Sequence, residues 1–372
     1  MPISYGLVLS CLGSQACSLT RIKTKSPFSP FSLDILGHRQ DDTPACIPLP
    51  PTECRFAHTP DFTAMPNHQA ELSFSERLKT AAEGFVGPLE LVKLIPLMQR
   101  TSGRAEIMVA VIDGPVAIDN SDLAEQSIRK VGGKSTSSCS RVNSVACVHG
   151  TFVAGMLSAK RGSAAPAICP GCTLLVRPIF SEITSIDGDV PSAAPEELAT
   201  ALVETINAGA RVINLSAALI QSTAQGEREL ETALRYAVSR NVIVVAAAGN
   251  QGTIGSSVIT RHPWVIPVTG CDLRGTLTEE SNLGNSIGRN GVMAPAKDIA
   301  SLGTNGKPQT LGGTSAAAPF VTGTIALLWS EFPKACAAQI KSAVTQAWQQ
   351  RRRTIAPPLL NAWAAYQVMS TA

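Results

Sequence analysis

Four polar residues stand where short apolar runs end or where glycine lets the chain turn sharply. Asp113 follows Ile107 to Ile112, Asn250 follows Val242 to Ala248 and Gly249, His149 is flanked by Gly150 and Gly155, and Ser315 follows Gly312-Gly313-Thr314. A carboxylate, an imidazole, an amide and a hydroxyl are the groups that acyl transfer needs: an orienter, a base, an oxyanion donor and a nucleophile. Each has an ordinary explanation when taken alone. Asp113-Gly114-Pro115 suits a turn or a helix cap, Asn250-Gln251-Gly252 suits a turn, and Ser315 suits an N-cap. A single histidine is more often a core or surface residue than a base. Chemistry is implied by the set, which runs Asp, His, Asn, Ser along the chain.

The elements that must hold them can be read from hydrophobic period. Ile107 to Ile112, Leu174 to Ile179, Val212 to Leu215, Val242 to Ala248 and Val265 to Val268 are uniformly apolar and rich in Val and Ile, as strands buried on both faces are. Between them, Glu196 to Ala208 places Leu198, Leu202 and Ile206 on one helical face, and Glu227 to Arg240 does the same with Leu230, Leu234 and Val238. Alternation of this kind predicts an α/β fold with a mainly parallel sheet covered by helices on both sides. In such sheets the ligand crevice lies outside the carboxyl ends of the strands, where Asp113 and Asn250 fall. A short helix is predicted from Pro96 to Gly103, a second starts at the Gly-flanked His149, and a third starts at Ser315, with Pro319 in its first turn.

The chain has 372 residues, of which 44% are hydrophobic and 16% charged, enough for one large domain with an appendage. Nine of the 25 prolines fall in residues 1–70, which predicts a Pro-rich irregular arm over 1–72, a short helical linker over 73–90 and the folded domain over 91–369. A net charge of +3 with one basic cluster, Arg351 to Arg353, offers nothing to nucleic acid or to an acidic membrane. The apolar stretch after Met1 lacks a preceding basic residue and a clean cleavage site, so the expected location is cytoplasmic, with secretion as the alternative. Cys169-Pro170-Gly171-Cys172 is open to three readings: a structural disulfide or idle thiols, half of a zinc site completed by Cys139 and Cys147, or a redox pair.

Four blocks carry a resemblance. Val109-Ala110-Val111-Ile112-Asp113-Gly114, His149-Gly150-Thr151 through Val153-Ala154-Gly155, Ala247-Ala248-Gly249-Asn250 and Gly313-Thr314-Ser315 with Ala317 and Pro319 resemble the signature blocks of subtilisin-like serine proteases. The resemblance covers roughly Leu91 to Met369 and implies a three-layer subtilisin-like fold. It implies that Ser315 attacks the peptide carbonyl, His149 carries the proton, Asp113 orients the imidazole, and Asn250 with the Ser315 N–H forms the oxyanion hole. It also implies that Ser216, Ala217, Ala218 and Gly249 bind an extended peptide or protein substrate, with no metal or cofactor in the chemistry. Asp113-Gly114-Pro115-Val116, the Cys169 to Cys172 segment leading into Val176-Arg177-Pro178, and Cys147 are similar to the cyanobactin-maturation branch (PatA/PatG type), which implies processing of ribosomally made precursor peptides.

Three positions depart from the family pattern. Phe152 stands where a second histidine is frequent, Gly114-Pro115 where a small hydroxyl residue and glycine are usual, and Ala218 where glycine is usual. These departures raise an alternative, a catalytically silent peptide-binding homologue, and the cysteines raise another, a thiol or zinc protein.

Overall fold

A computed structural model of the chain describes residues 6–9, 87–123, 126–132, 138–182, 191–221, 223–346 and 354–371. A strand, β1 (Gly6–Leu9), precedes the helices α1 (Pro88–Leu91) and α2 (Ile95–Arg100). There follow β2 (Met108–Asp113), β3 (Ile128–Lys130), α3 (Val145–Ser158), β4 (Thr173–Pro178), β5 (Ser192–Ala193), α4 (Pro195–Asn207), β6 (Val212–Leu215), β7 (Ala217–Gln221) and α5 (Ala224–Ser239). The chain continues through β8 (Ile243–Ala247), α6 (Val258–Arg261), β9 (Val265–Cys271), α7 (Asn285–Asn290) and β10 (Val292–Pro295). It ends with the hairpin β11 (Ile299–Leu302) and β12 (Pro308–Leu311), then α8 (Thr314–Glu331), α9 (Ala337–Gln346) and α10 (Ala362–Ser370).

Seven strands form one sheet in the order β10-β9-β8-β6-β2-β4-β3, parallel throughout. The predicted apolar runs are its strands, and their alternate side chains supply two separate cores. Val109, Val111, Ile243 and Val245 face one layer with Phe152, Met156, Phe320 and Leu327, whereas Ala110, Ile112, Val244 and Ala246 face Leu198, Leu202, Leu230 and Leu234. Helices α3 and α8 thus cover one face, and α4 and α5 the other, which is the predicted three-layer arrangement. Arg177 of β4 is buried and pairs with Glu197 and Glu204 of α4, so that motif residue ties a helix to the sheet.

The strand order reverses around β2: β4 lies on one side of it and β6 on the other, which opens a crevice at the carboxyl end of β2. Helix α8 is buried along almost its whole length, from Thr314 to Ser330, so its first residues lie inside the protein rather than at a surface cap.

Several expectations need adjustment. Helix α2 does begin at Pro96's turn, with proline in the first turn as predicted. Gly6–Leu9, expected within an irregular arm, is a strand and joins β5 and β7 in a separate antiparallel sheet of order β5-β1-β7. The rest of the arm, nearly all of the 73–90 linker and the Arg351 to Arg353 cluster lie outside the described residues. Helix α8 begins at Thr314, one residue early, which puts Pro319 at its sixth position rather than in its first turn. Among the described residues, no helix is long and apolar enough to cross a membrane.

Candidate active site

Strand β2 delivers Asp113 to the crevice, and the backbone there is pinned by the Ile179 and Phe180 N–H groups donating to the Asp113 carbonyl at 2.8 and 3.4 Å. His149 is the fifth residue of α3, not its first. The helix starts earlier because Ser144 caps it, its hydroxyl accepting from the Cys147 N–H at 3.1 Å. The Asp113 side chain accepts from the Gly114 N–H at 2.6 Å and lies 2.7 Å from His149 Nδ1, through the same oxygen, Oδ1. A carboxylate only accepts, so Nδ1 carries the proton and Nε2 is left as the acceptor. Ser315 Oγ lies 3.0 Å from that Nε2. All three residues are buried, His149 and Ser315 each 1% exposed. Three of the four predicted residues therefore meet in one hydrogen-bonded line.

Two backbones must approach closely for the line to form. A Cβ on Gly150 would meet the Pro115 carbonyl oxygen at 2.4 Å and that of Gly114 at 2.5 Å, and one on Gly114 would meet the Ala146 oxygen at 2.0 Å. Helix α3 therefore rests directly on the turn after Asp113, one residue from the imidazole. Gly114 leaves no hydroxyl beside the carboxylate, and Asp113 Oδ2 is buried without a hydrogen-bond partner among the described residues. The departure at Gly114-Pro115 thus exchanges a polar contact for helix proximity. Phe152 lies in the core, fully buried, one turn beyond His149.

Ser315 is the second residue of α8. Gly313 before it has φ +89°, a left-handed conformation that favours glycine, and its carbonyl accepts from the Ala316 and Ala317 N–H groups. The Thr314 N–H donates to Asn250 Oδ1 at 2.9 Å, while the Thr314 hydroxyl accepts from the Gly249 N–H at 3.1 Å. This reciprocal pair stitches Gly249-Asn250 to Thr314-Ser315. Because the amide oxygen is committed to an N–H donor, the orientation of the Asn250 side chain is set, with Nδ2 at its other end. Thr314 was not singled out by sequence reasoning, although its place between Gly313 and Ser315 was visible.

A second thread runs beneath the hydroxyl. Pro319 has no N–H to give the carbonyl four residues back, which is that of Ser315. The Ser216 hydroxyl reaches that carbonyl instead, at 3.4 Å. Ser216 itself accepts from Asn214 Nδ2 at 2.6 Å, and Asn214 Oδ1 accepts from the Thr322 hydroxyl at 2.8 Å. Ser216, expected at the substrate, thus spends its side chain inside the protein, and the Gly249 N–H is also engaged internally. Ala217 and Ala218 open β7, whose backbone pairs with β1.

The four cysteines of the zinc reading separate into two pairs. Cys139 and Cys147 form a disulfide that closes the loop leading into α3. Cys169 and Cys172 are free and buried. The proposed four-sulfur site does not assemble: among the described residues, the one cluster of metal-ligating types is Cys139, Cys147 and Glu182. The mutual hydrogen bond of the buried pair pushes the Cys169 thiol well up and holds Cys172 down.

Glu182 braces the same loop, accepting from the Ser140 N–H and hydroxyl and from the Arg141 N–H at 2.7 Å. Burial pushes its carboxyl up, but these donors outweigh it and the net direction is downward. A depressed folded value means stability that is present above the ordinary glutamate range and fades as the pH falls through the folded value. Glu182→Gln is expected to lower stability by about 2 kcal/mol at neutral pH. In denaturant titrations the difference from the unaltered chain should shrink on acidification.

The chain matches the subtilase family over residues 104–358. It belongs to the subtilase family. Among curated relatives of this subtilase, the thermophilic serine proteinase of Bacillus sp. (strain AK1) is 33% identical over 185 residues, covering 49% of this chain and 43% of that protein. The subtilase therefore spans less than half the length of that relative. Among solved structures, the prenylagaramide maturation protease PagA superposes with a TM-score of 0.64 at 28% identity, covering 74% of this chain and 98% of that one. The patellamide maturation protease PatA gives 0.61 at 28% identity, covering 73% and 99%.

Proposed function

We propose that this subtilase is a serine endopeptidase in which Asp113, His149 and Ser315 act as a triad and Asn250 serves the oxyanion. The observation that carries the proposal is the 3.0 Å approach of Ser315 Oγ to the unprotonated nitrogen of His149, with Asp113 on the other nitrogen. Ser315 Oγ attacks the scissile carbonyl while Nε2 takes its proton. The buried carboxylate of Asp113 stabilises the imidazolium, which then protonates the leaving amine. Water, deprotonated by the same nitrogen, hydrolyses the acyl-enzyme. The oxyanion that forms at each addition is met by the Ser315 N–H, in the first turn of α8, and by Asn250 Nδ2.

A fluorophosphonate probe is expected to label Ser315 and to leave Ser315→Ala unlabelled; folded protein that never labels would overturn the proposal. Asn250→Ala is expected to lower kcat about 10²- to 10³-fold with little change in KM, because the amide acts on charge that exists only in the transition state. Steady-state kinetics separates the two parameters.

For substrate class, the likeness to PagA and PatA, both named maturation proteases, supports cleavage of ribosomally made precursor peptides. Mass spectrometry of products from a precursor encoded nearby, beside a random peptide library, tests this. Selective cleavage of the precursor is expected, and indiscriminate digestion of the library would count against it. Processing of a precursor peptide where it is made implies action inside the producing cell. The Cys139–Cys147 bond weighs the other way, since cytosolic thiols are kept reduced, and mapping of that bond in protein drawn from those cells decides the matter.

A further inference from the structure

Strands β8, β9 and β10 lie side by side and parallel, so the segments after β9 and β10 stand next to Asn250, on the side of it away from β6. A cavity of about 520 Å³ opens there. One wall is Leu311-Gly312-Gly313, the approach to Ser315, and another is the segment from Leu277 to Glu280. Main-chain hydrogen bonds tie these walls to the site. The Gly313 N–H donates to the Ala296 carbonyl at 2.7 Å, the Gly252 N–H to that of Glu280 at 2.8 Å, and the Asn282 N–H to that of Gly249 at 2.9 Å. Backbone therefore holds the cavity against the turn of the nucleophile and the turn of the oxyanion amide.

Position decides which part of a substrate the cavity meets. His149 Nε2 delivers its proton to the leaving amine, so the chain beyond the scissile bond departs over α3. The β11–β12 hairpin, which walls the cavity through Thr310 and Leu311, rests on that helix, the Ser301 hydroxyl donating to the Phe152 carbonyl at 2.7 Å. Ser216 and β7 follow β6, on the other side of Asn250. The cavity thus faces the leaving segment and not the acyl segment.

Its lining is charged against the sign of the chain. Asp272, Glu279, Glu280 and Asp298 bring four carboxylates and Lys297 one ammonium, in a protein whose net charge is +3. Among the described residues, Glu279, Glu280 and Asp298 take part in no ion pair, so their charge is not neutralised within the protein. Asp272 Oδ1 accepts from the Thr276 and Arg274 N–H groups, both at 2.9 Å, and these donors, Thr276 foremost, hold its carboxyl below the usual aspartate range. Leu277 and Leu311 give the walls an apolar part along which a long methylene stem can lie.

We propose that this cavity takes a lysine or arginine side chain from one of the first two residues beyond the scissile bond, with Glu279 and Glu280 setting the preference. The inference rests on the endopeptidase reading and adds to it the charge class of the leaving segment. Carboxylates in a walled space attract a cationic side chain and repel an anionic one. A glutamate or aspartate at the same place in a substrate is therefore selected against.

Competition for an acyl-enzyme tests this, because an amine that attacks the acylated serine enters along the path by which a leaving amine departs. p-Nitrophenyl acetate transfers its acetyl group to Ser315 Oγ and releases p-nitrophenol; an amine then takes the acetyl group and the serine regains its proton. Arg-Gly-amide, Gly-Arg-amide, Leu-Gly-amide and Glu-Gly-amide are offered together at equal free-amine concentration, and the N-acetyl products are compared by mass spectrometry. The Ser315→Ala chain supplies the uncatalysed background. An arginine-bearing acceptor is expected to capture about tenfold more acetyl than Leu-Gly-amide, with Glu-Gly-amide last. In the Glu279→Gln, Glu280→Gln double variant the advantage should fall to about twofold, and because the ratio is internal to each sample, changes in overall rate cancel. Equal capture by all four, or an advantage that the double variant keeps, would overturn this inference and leave the endopeptidase reading standing. No release of p-nitrophenol above background would instead count against that reading and take the inference with it.

Discussion

Ser315→Ala is expected to reduce kcat/KM by about 10⁶-fold, the scale such deletions reach in subtilisin, equivalent to roughly 8 kcal/mol of barrier. The substitution removes one oxygen from a buried site and adds no atom, so the melting behaviour should stay close to that of the unaltered chain. His149→Ala is expected to fall by a similar factor, because a hydroxyl without a base 3.0 Å away is a poor nucleophile. The double variant should be no worse than either single one, since the two groups perform one proton transfer and attack together. Asp113→Asn belongs to the same series. An amide opposite Nδ1 can favour the wrong tautomer, and a loss of about 10⁴ in kcat follows with the geometry kept. Measurement needs active-site titration, as a trace of contaminating protease would mask losses of this size. Residual activity of Ser315→Ala above a tenth of the original would require another nucleophile.

Gly150→Ala carries the second large effect, on both stability and rate. At an unconstrained helix position this change would stabilise by about 1 kcal/mol. Here the new methyl would sit 2.4 Å from one backbone oxygen and 2.5 Å from another, neither on a flexible side chain. Overpacking against backbone outweighs the propensity gain, and a net loss of about 2 to 3 kcal/mol is expected. The sign alone discriminates the two possibilities in a denaturant titration. Relief of the clash moves α3 away from the Gly114-Pro115 turn and takes His149 with it. A displacement near 1 Å in a catalytic array costs about 10²-fold in rate. A Gly150→Ala enzyme with undiminished kcat would show that helix proximity does not set the imidazole.

The main sheet was legible because its strands are buried on both faces and so are uniformly apolar, as in Val212 to Leu215 and Val265 to Val268. The site residues were legible because they sit where those runs stop. Helix α3 starts four residues before the Gly-flanked His149 that suggests a helix start, because its cap is Ser144, a residue with no glycine beside it. Pro319 reads locally as a first-turn residue, whereas its tolerance deeper in the helix depends on Ser216, a residue about 100 positions earlier. The β5-β1-β7 sheet had no local signature at all. A four-residue apolar stretch near the N-terminus is as compatible with a poor secretion signal as with a strand, and only distant pairing partners tell them apart. The disulfide was hidden for a related reason: pairing among ten cysteines is decided by Cα separation, which spacing along the chain does not give.

Ser216 has a double employment with an outcome for anyone redesigning this enzyme. Its main chain leads directly into β7, the strand that under the proposed function pairs with an extended substrate, while its hydroxyl donates to the carbonyl of Ser315, the proposed nucleophile. Selectivity and speed therefore share one pivot. Libraries that vary residues 216–218 to accept new sequences should yield variants whose turnover drifts along with their preferences, and a compensating change at Asn214 or Thr322 is the place to look for recovery.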